Sequence, residues 1–221
     1  MVSIRIIKYI WFSIHIVKLI VFDMDGVLIE ERSSWRIIHK EFKIDNSDIL
    51  KELHEGRLSE KDFLNKEIEK MRIHGLKRKH IMDVLKKVRY MHGLENCLNF
   101  VEKWHSAIIS GGIKCIADRI AKYGINHVYA NEIIFKDDVP WKGRLNVPFY
   151  NKKKVLKEFL EKMDADYVIV VGDSKYDVGM FELSDVAIAF NPNDEIVIEK
   201  ADYVVNSKDM NDLIKILKKH Y

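Results

Sequence analysis

The chain has 221 residues, 48% of them hydrophobic and 32% charged, with 10 Gly and only 3 Pro. That balance excludes a disordered or fibrous protein, and the length suits one generous domain or a core carrying an inserted piece. With 37 basic and 34 acidic residues the net charge is +3, without the clustered basic excess of a nucleic-acid binder.

Residues 1–17 are greasy but interrupted: Ile4, Ile6, Ile7, Trp11 and Phe12 alternate with Arg5, Lys8 and His15. No uncharged run is long enough to span a membrane, and no small-residue cleavage site marks a signal peptide. An extra edge strand or an appended segment is expected there. Leu19-Ile20-Val21-Phe22 then runs into Asp23-Met24-Asp25-Gly26. This reads as a buried parallel strand delivering two carboxylates to the loop at its carboxyl end. Strand alternation puts Asp23 and Asp25 on one side, where they repel unless a divalent cation or a shared proton intervenes.

After Glu31 the apolar period becomes helical. Asn46-Ser47-Asp48 reads as one helix start, and Ser59-Glu60-Lys61-Asp62 as a capping box ahead of Phe63, Leu64, Ile68 and Met71. Further stripes run through Ile81, Val84, Leu85 and Val88, and through Leu94, Leu98, Val101 and Trp104. The basic run Lys77-Arg78-Lys79-His80 reads as a solvated face. Residues 33–105 are therefore expected to form an all-helical inserted cap, with 1–32 and 106–221 making an α/β core.

Strand-like runs return at Ala107-Ile108-Ile109, ending in Ser110-Gly111-Gly112. A helix is predicted over 113–123, a strand over 128–135, a hairpin or loop over 138–147, and a helix through Val155 and Phe159. Tyr167 to Val171 ends in Gly172-Asp173-Ser174, Val186 to Phe190 is another buried strand, and a terminal helix covers 210–219. Strands alternating with helices imply a doubly wound, mostly parallel Rossmann-like sheet. Cys97 and Cys115 have no CxxC or His spacing and read as reduced thiols of a cytoplasmic protein.

In such a sheet ligands bind outside the carboxyl ends of the strands. Three apolar runs finish there in polar loops: Asp23-Met24-Asp25-Gly26, Ser110-Gly111-Gly112, and Gly172-Asp173-Ser174 with Asp177. Taken in this order, these loops identify a resemblance to the haloacid dehalogenase superfamily, in its phosphoserine-phosphatase-like branch. The family's first motif, Asp-x-Asp-Gly-Thr/Val, falls on Asp23 to Val27. Its Ser falls on Ser110, and its Gly-Asp-Ser-x-x-Asp on Gly172, Asp173, Ser174 and Asp177. Its lysine falls among Lys152, Lys153 and Lys154; the spacing to Val155 and Leu156 selects Lys152, with Lys153 second.

The resemblance implies an Mg²⁺-dependent phosphatase acting on a small-molecule phosphate monoester through an aspartyl-phosphate. It makes Asp23 the nucleophile and Asp25 the acid/base. Asp23, the Asp25 backbone carbonyl and Asp173 would hold the metal. Ser110, Gly111 and Lys152 would hold the phosphoryl group, Asp177 would support Lys152 or a metal-bound water, and Gly172 would allow close approach beside the metal. The second aspartate argues against dehalogenation, since a departing halide needs no proton. A phosphotransferase or mutase shares the same motifs, and a non-catalytic interaction module is a third reading. A small-molecule substrate is expected, with no nucleic acid and no membrane span. The oligomeric state stays open, a dimer included.

Phosphoserine itself fits less well. The branch reads its substrate with a Glu where this chain has Arg32, nine residues after Asp23, and with an Arg where it has Asn65. Glu30, Glu31 and Arg57 are the nearby stand-ins. Ser33, Ser34 and Trp35 are candidate hinge or leaving-group contacts.

Overall fold

Strand β1 (Lys18–Phe22) is the axis of the molecule: in a computed structural model describing residues 16–220, it lies in the middle of a seven-stranded sheet. Its neighbours are β2 (His105–Ile113) and β5 (Tyr167–Gly172), both parallel to it. Beyond them lie β3 (His127–Lys136) and β4 (Val139–Arg144) on one side, and β6 (Val186–Phe190) and β7 (Tyr203–Val205) on the other. The order is β4-β3-β2-β1-β5-β6-β7, and only β4 is antiparallel to its neighbour. Phe22 pairs with Ile108 and Val171, so Asp23 leaves the sheet level with the ends of both flanking strands.

Alternation along β1 divides the core into two layers. Ile20 and Phe22 pack with Ile108, Ile169 and Val171 under α5 (Leu94–Phe100), α6 (Lys114–Ala121) and α10 (Met210–Leu217). Leu19 and Val21 pack with Ala107, Ile109, Val168 and Val170 under α7 (Lys152–Leu160), α8 (Val178–Phe181) and α9 (Glu195–Lys200). A strand buried on both faces has no polar side, which is why the run Leu19 to Phe22 carries no polar residue.

The remaining helices, α1 (Ser34–Phe42), α2 (Ser47–His54), α3 (Glu60–Ile73) and α4 (Arg78–Leu85), lie with α5 between β1 and β2 in sequence. Ser33 caps α1 by accepting from the Arg36 N–H, and Ser59 caps α3 by accepting from the Asp62 N–H. The Ser59 hydroxyl donates to Asp62 Oδ2 at 2.6 Å, closing the expected box through the side chain. At α2 the cap differs: Asp45 Oδ1 takes the Ser47 N–H, which leaves the Asn46 amide for a partner across the fold.

One local expectation shifts, and one is made definite. The run at Ala107 does not stop at Ser110-Gly111-Gly112; β2 continues to Ile113, with a register shift against β3 between Ser110 and Ile113. Glycines inside a strand mark such bulges, and this one follows directly on Ser110. The segment after β3 is a hairpin turned by Asp137 and Asp138, both at positive φ, and its returning strand β4 packs on α3. The edge strand or appended segment expected over residues 1–17 falls almost wholly outside the described residues. Among these, no helix is long and apolar enough to cross a membrane.

Candidate active site

Three strand ends deliver the polar groups. Asp23 follows β1 and its N–H donates to the Val171 carbonyl, tying it to β5. The chain then turns back sharply, with the N–H groups of Leu28 and Ile29 on the Met24 carbonyl. Gly26 takes φ +80° in this turn, and a Cβ there would run into Asp173 Oδ2. Only glycine meets both demands.

Lys152, at the start of α7, is buried, and its ammonium lies 2.8 Å from Asp23 Oδ1 and 2.7 Å from Asp177 Oδ1. Its neighbours turn outward: Lys153 pairs with Glu182, and Lys154 approaches Glu158 on the exposed helix face. Of the three lysines in the run, Lys152 is the one the structure places at the acids. Burial alone would lower its pKa, but the Asp177 and Asp23 carboxylates outweigh that and raise it. Lys152 is therefore a permanent cation in a site of carboxylates.

Asp177 is fully occupied. One oxygen takes Lys152, and the other accepts from the N–H groups of Asp173 and Ser174 and from the Ser174 hydroxyl. A Cβ on Gly172 would collide with the Asp177 side chain. The glycine thus makes room for this brace.

Carboxylate oxygens of Asp23, Asp173 and Asp177 lie within 4.8 Å of one another, a grouping suited to a hard divalent cation. Since Asp177 is saturated, Asp23 and Asp173 are the members with capacity left. Asp173 Oδ2 takes Arg32 Nη1 at 2.5 Å and the Asn193 amide at 3.2 Å. Burial, then the nearby Asp23 and Asp177 charges, push the Asp173 carboxyl up to about 8. Burial is also the largest influence on Asp23, which is raised although Lys152 pulls the other way.

Asp25 is oriented by Ser34. Its Oδ2 accepts from the Ser34 N–H at 2.9 Å and the Ser34 hydroxyl at 3.0 Å, and the same hydroxyl accepts from the Ile113 N–H. Oδ1 is buried without a partner. Burial and the Asp23 charge push Asp25 up to about 7, so it can hold or release a proton near neutral pH. Ser110 is buried, with its hydroxyl accepting from the Gly112 N–H. The Gly111 carbonyl is fixed by Trp35 Nε1 and the Asn131 amide.

These groups form one end of a 420 Å³ cavity that continues under α1, α2 and α3. Its far walls are apolar, including Trp35, Leu53, Phe63, Leu64 and Phe149. Glu30, Glu31 and Arg57 do not line it; Glu30 pairs with Arg89, and Arg57 with Glu55. Asn65 accepts from the Gly143 N–H and so ties α3 to β4. Sequence reasoning missed Ser34 as the orienter of Asp25, although its place nine residues on was a signal. It also missed His39 and Glu67, whose pairing crosses two helices and leaves no local trace.

A family model for haloacid dehalogenase-like hydrolases matches residues 20–182, which takes in every strand end described above. The chain belongs to this family. Within the haloacid dehalogenase-like hydrolases it is 27% identical over 218 residues to a phosphoserine phosphatase of Methanocaldococcus jannaschii, covering 91% of this chain and 98% of that one. It is 28% identical over 211 residues to a phosphoserine phosphatase of Campylobacter jejuni subsp. doylei, covering 91% of this chain and 100% of the other. A solved structure described as a phospho-aspartyl intermediate analogue of phosphoserine phosphatase aligns with a TM-score of 0.74 at 25% identity, over 91% of this chain and 99% of that one. The fold is phosphoserine-phosphatase-like throughout.

Proposed function

We propose that this haloacid dehalogenase-family hydrolase cleaves a small phosphate monoester through an aspartyl-phosphate on Asp23. The observation that carries the reading is the buried Lys152 ammonium braced between Asp23 and Asp177, beside an Asp25 carboxyl able to hold a proton. A phosphate dianion repels a carboxylate nucleophile, and Lys152 offsets that charge where it develops. Ser110 and the backbone of the Gly111 loop hold the remaining phosphoryl oxygens.

In the first step an Asp23 oxygen bonds to phosphorus while the ester P–O bond breaks, and the leaving oxygen takes the Asp25 proton. In the second, Asp25 takes a proton from water as that water attacks phosphorus. Phosphate leaves and the Asp23 carboxylate is restored. The solved relative described as a phospho-aspartyl intermediate analogue supports this route by likeness.

The donor set fits Mg²⁺: all oxygen, two buried carboxylates with capacity, and an Asp23 oxygen lacking a well-aligned hydrogen bond. Asp23, Asp173 and the Asp25 carbonyl would hold it, and it would supply charge neutralisation for the phosphoryl group. Within residues 33–105, helices α1 to α4 act as a cap over the core of 1–32 and 106–221, excluding water and contacting the leaving group, while α5 packs with α10 in the core layer against the sheet. The two unbridged cysteines agree with a cytoplasmic setting.

The test is p-nitrophenyl phosphate with Mg²⁺, wild type against Asp23→Asn. Loss of about ten-thousandfold or more in kcat is expected, together with acid-stable labelling absent from the variant. Equal rates would remove Asp23 from the nucleophile role.

A further inference from the structure

At the cap end of the cavity two polar side chains are buried among apolar ones. His39 on α1 is 8% exposed and Glu67 on α3 is 1% exposed, and both line the cavity. His39 Nε2 lies 2.5 Å from Glu67 Oε2, and the Asn46 amide donates to Glu67 Oε1 at 2.6 Å. Each Glu67 oxygen thus has a neighbour. Nε2 and Oε2 face each other without a well-aligned hydrogen bond, and His39 Nδ1 has no partner at all among the described residues. A buried ring nitrogen left unpaired is costly, and a protein keeps one where something else supplies the partner.

The chemistry of that partner follows from the pair. A carboxylate only accepts, so a ring hydrogen on Nε2 faces Glu67, and Nδ1 either accepts or, where it carries a hydrogen as well, donates. A ligand hydroxyl, which both donates and accepts, satisfies Nδ1 in either role. A ligand carboxylate is disfavoured by the Glu67 charge, which no Lys or Arg among the described residues contacts directly. Of the arginines lining the cavity, Arg32 is engaged by Asp173, and Arg36 is exposed to solvent, where an ion pair discriminates weakly. Around the pair the lining is mostly apolar (Trp35, Leu50, Leu53, Phe63, Leu64 and Phe149), with His54 exposed at the rim, and 420 Å³ is far more space than a serine body fills.

We infer that the leaving group is a largely apolar alcohol larger than serine, carrying a distal hydroxyl, and that His39, set by Glu67 and Asn46, is the specificity residue that reads it. This rests on the phosphatase reading above.

Two matched ester series test it: ω-hydroxyalkyl phosphates of increasing length, and n-alkyl phosphates in which a methyl replaces the terminal hydroxyl. Length samples the span from Asp23 to His39. Phosphoserine and p-nitrophenyl phosphate complete the set. With wild type and Mg²⁺, one hydroxyl ester is expected to exceed both its methyl twin and phosphoserine in kcat/KM by about tenfold or more. The advantage should reside mainly in KM. His39→Leu should bring the twin ratio to within about twofold, and His39→Gln, which keeps an acceptor, should retain part of it.

If p-nitrophenyl phosphate is cleaved while the twins are treated alike, or phosphoserine outruns both, this inference fails and the phosphatase reading stands. If none of the esters is cleaved, both fall. The wild-type twin ratio decides the matter even where a His39 variant does not fold.

Discussion

The two ends of the cavity are built on opposite principles. At the phosphate end every group is charged or polar and sits at the end of a parallel strand or the start of the following helix. Asp23, Ser110, Lys152 and Asp173 are all buried there. At the cap end the walls are apolar, and two polar side chains meet across α1 and α3. The first end is positioned by the sheet, whose register leaves little freedom; the second depends on how helices pack. On the function proposed above, chemistry falls to the rigid part and selectivity to the part that can diverge.

The contrast is broken most severely at Lys152. Lys152→Met removes the one cation between Asp23 and Asp177, and kcat with p-nitrophenyl phosphate should fall about a hundredfold or more. Lys153→Ala and Lys154→Ala remove only exposed pairs and should stay within about twofold. Similar losses for all three would mean that a diffuse basic helix start, not one placed ammonium, serves the phosphoryl group.

Ser34 comes next, because it joins the two ends: it begins α1 of the cap and holds Asp25 of the core. Ser34→Ala should reduce kcat about tenfold, since Asp25 loses one of its two anchors. The Ser34 bonds pull the Asp25 pKa down against burial. Without the hydroxyl the pKa rises, and the limb of the pH–rate profile set by Asp25 should move to higher pH. A profile that keeps its position would detach Ser34 from the acid/base group.

A smaller effect should appear in stability. Asp25 and Asp173 rise from 3.8 to about 7 and about 8 on folding. A raised acid binds its proton more tightly in the folded state. Its contribution is fully present below the unfolded value, and is lost as pH climbs through the folded one. The metal-free protein should therefore lose thermal stability between pH 4 and pH 8. Mg²⁺ should raise the melting midpoint more at pH 8, where these carboxylates are ionised, than at pH 5. A metal effect of the same size at both would contradict the buried, raised carboxylates.

What the chain disclosed beforehand follows the same division. The uniform apolar runs at Leu19 and Val168, each ending in acids, can be read because a strand buried on both faces tolerates no polar residue. Lys152 could be told from its neighbours by the family resemblance, whose lysine stands three and four residues ahead of an apolar pair, here Val155 and Leu156. Ser34 and the occupied state of Asp177 are finer: they depend on backbone amides converging from several segments. His39 and Glu67 were invisible, since 28 residues separate them and each is a lone polar residue on an amphipathic helix. The passage of β2 through Gly111 and Gly112 went unread because a glycine pair looks the same at a turn and at a bulge.

The mildest test lies at Asn65, the position where the phosphoserine-phosphatase-like branch carries a substrate-reading arginine. Here its side-chain oxygen accepts from the Gly143 N–H at 3.1 Å, joining α3 to the strand beneath it. Asn65 does not line the cavity. Asn65→Ala should cost about 1 kcal/mol of folding stability in a denaturant titration, and change kcat/KM for any ester by less than about twofold. An effect on KM specific to phosphoserine, without loss of stability, would return Asn65 to the substrate and bring the cap end closer to its relatives than its lining residues indicate.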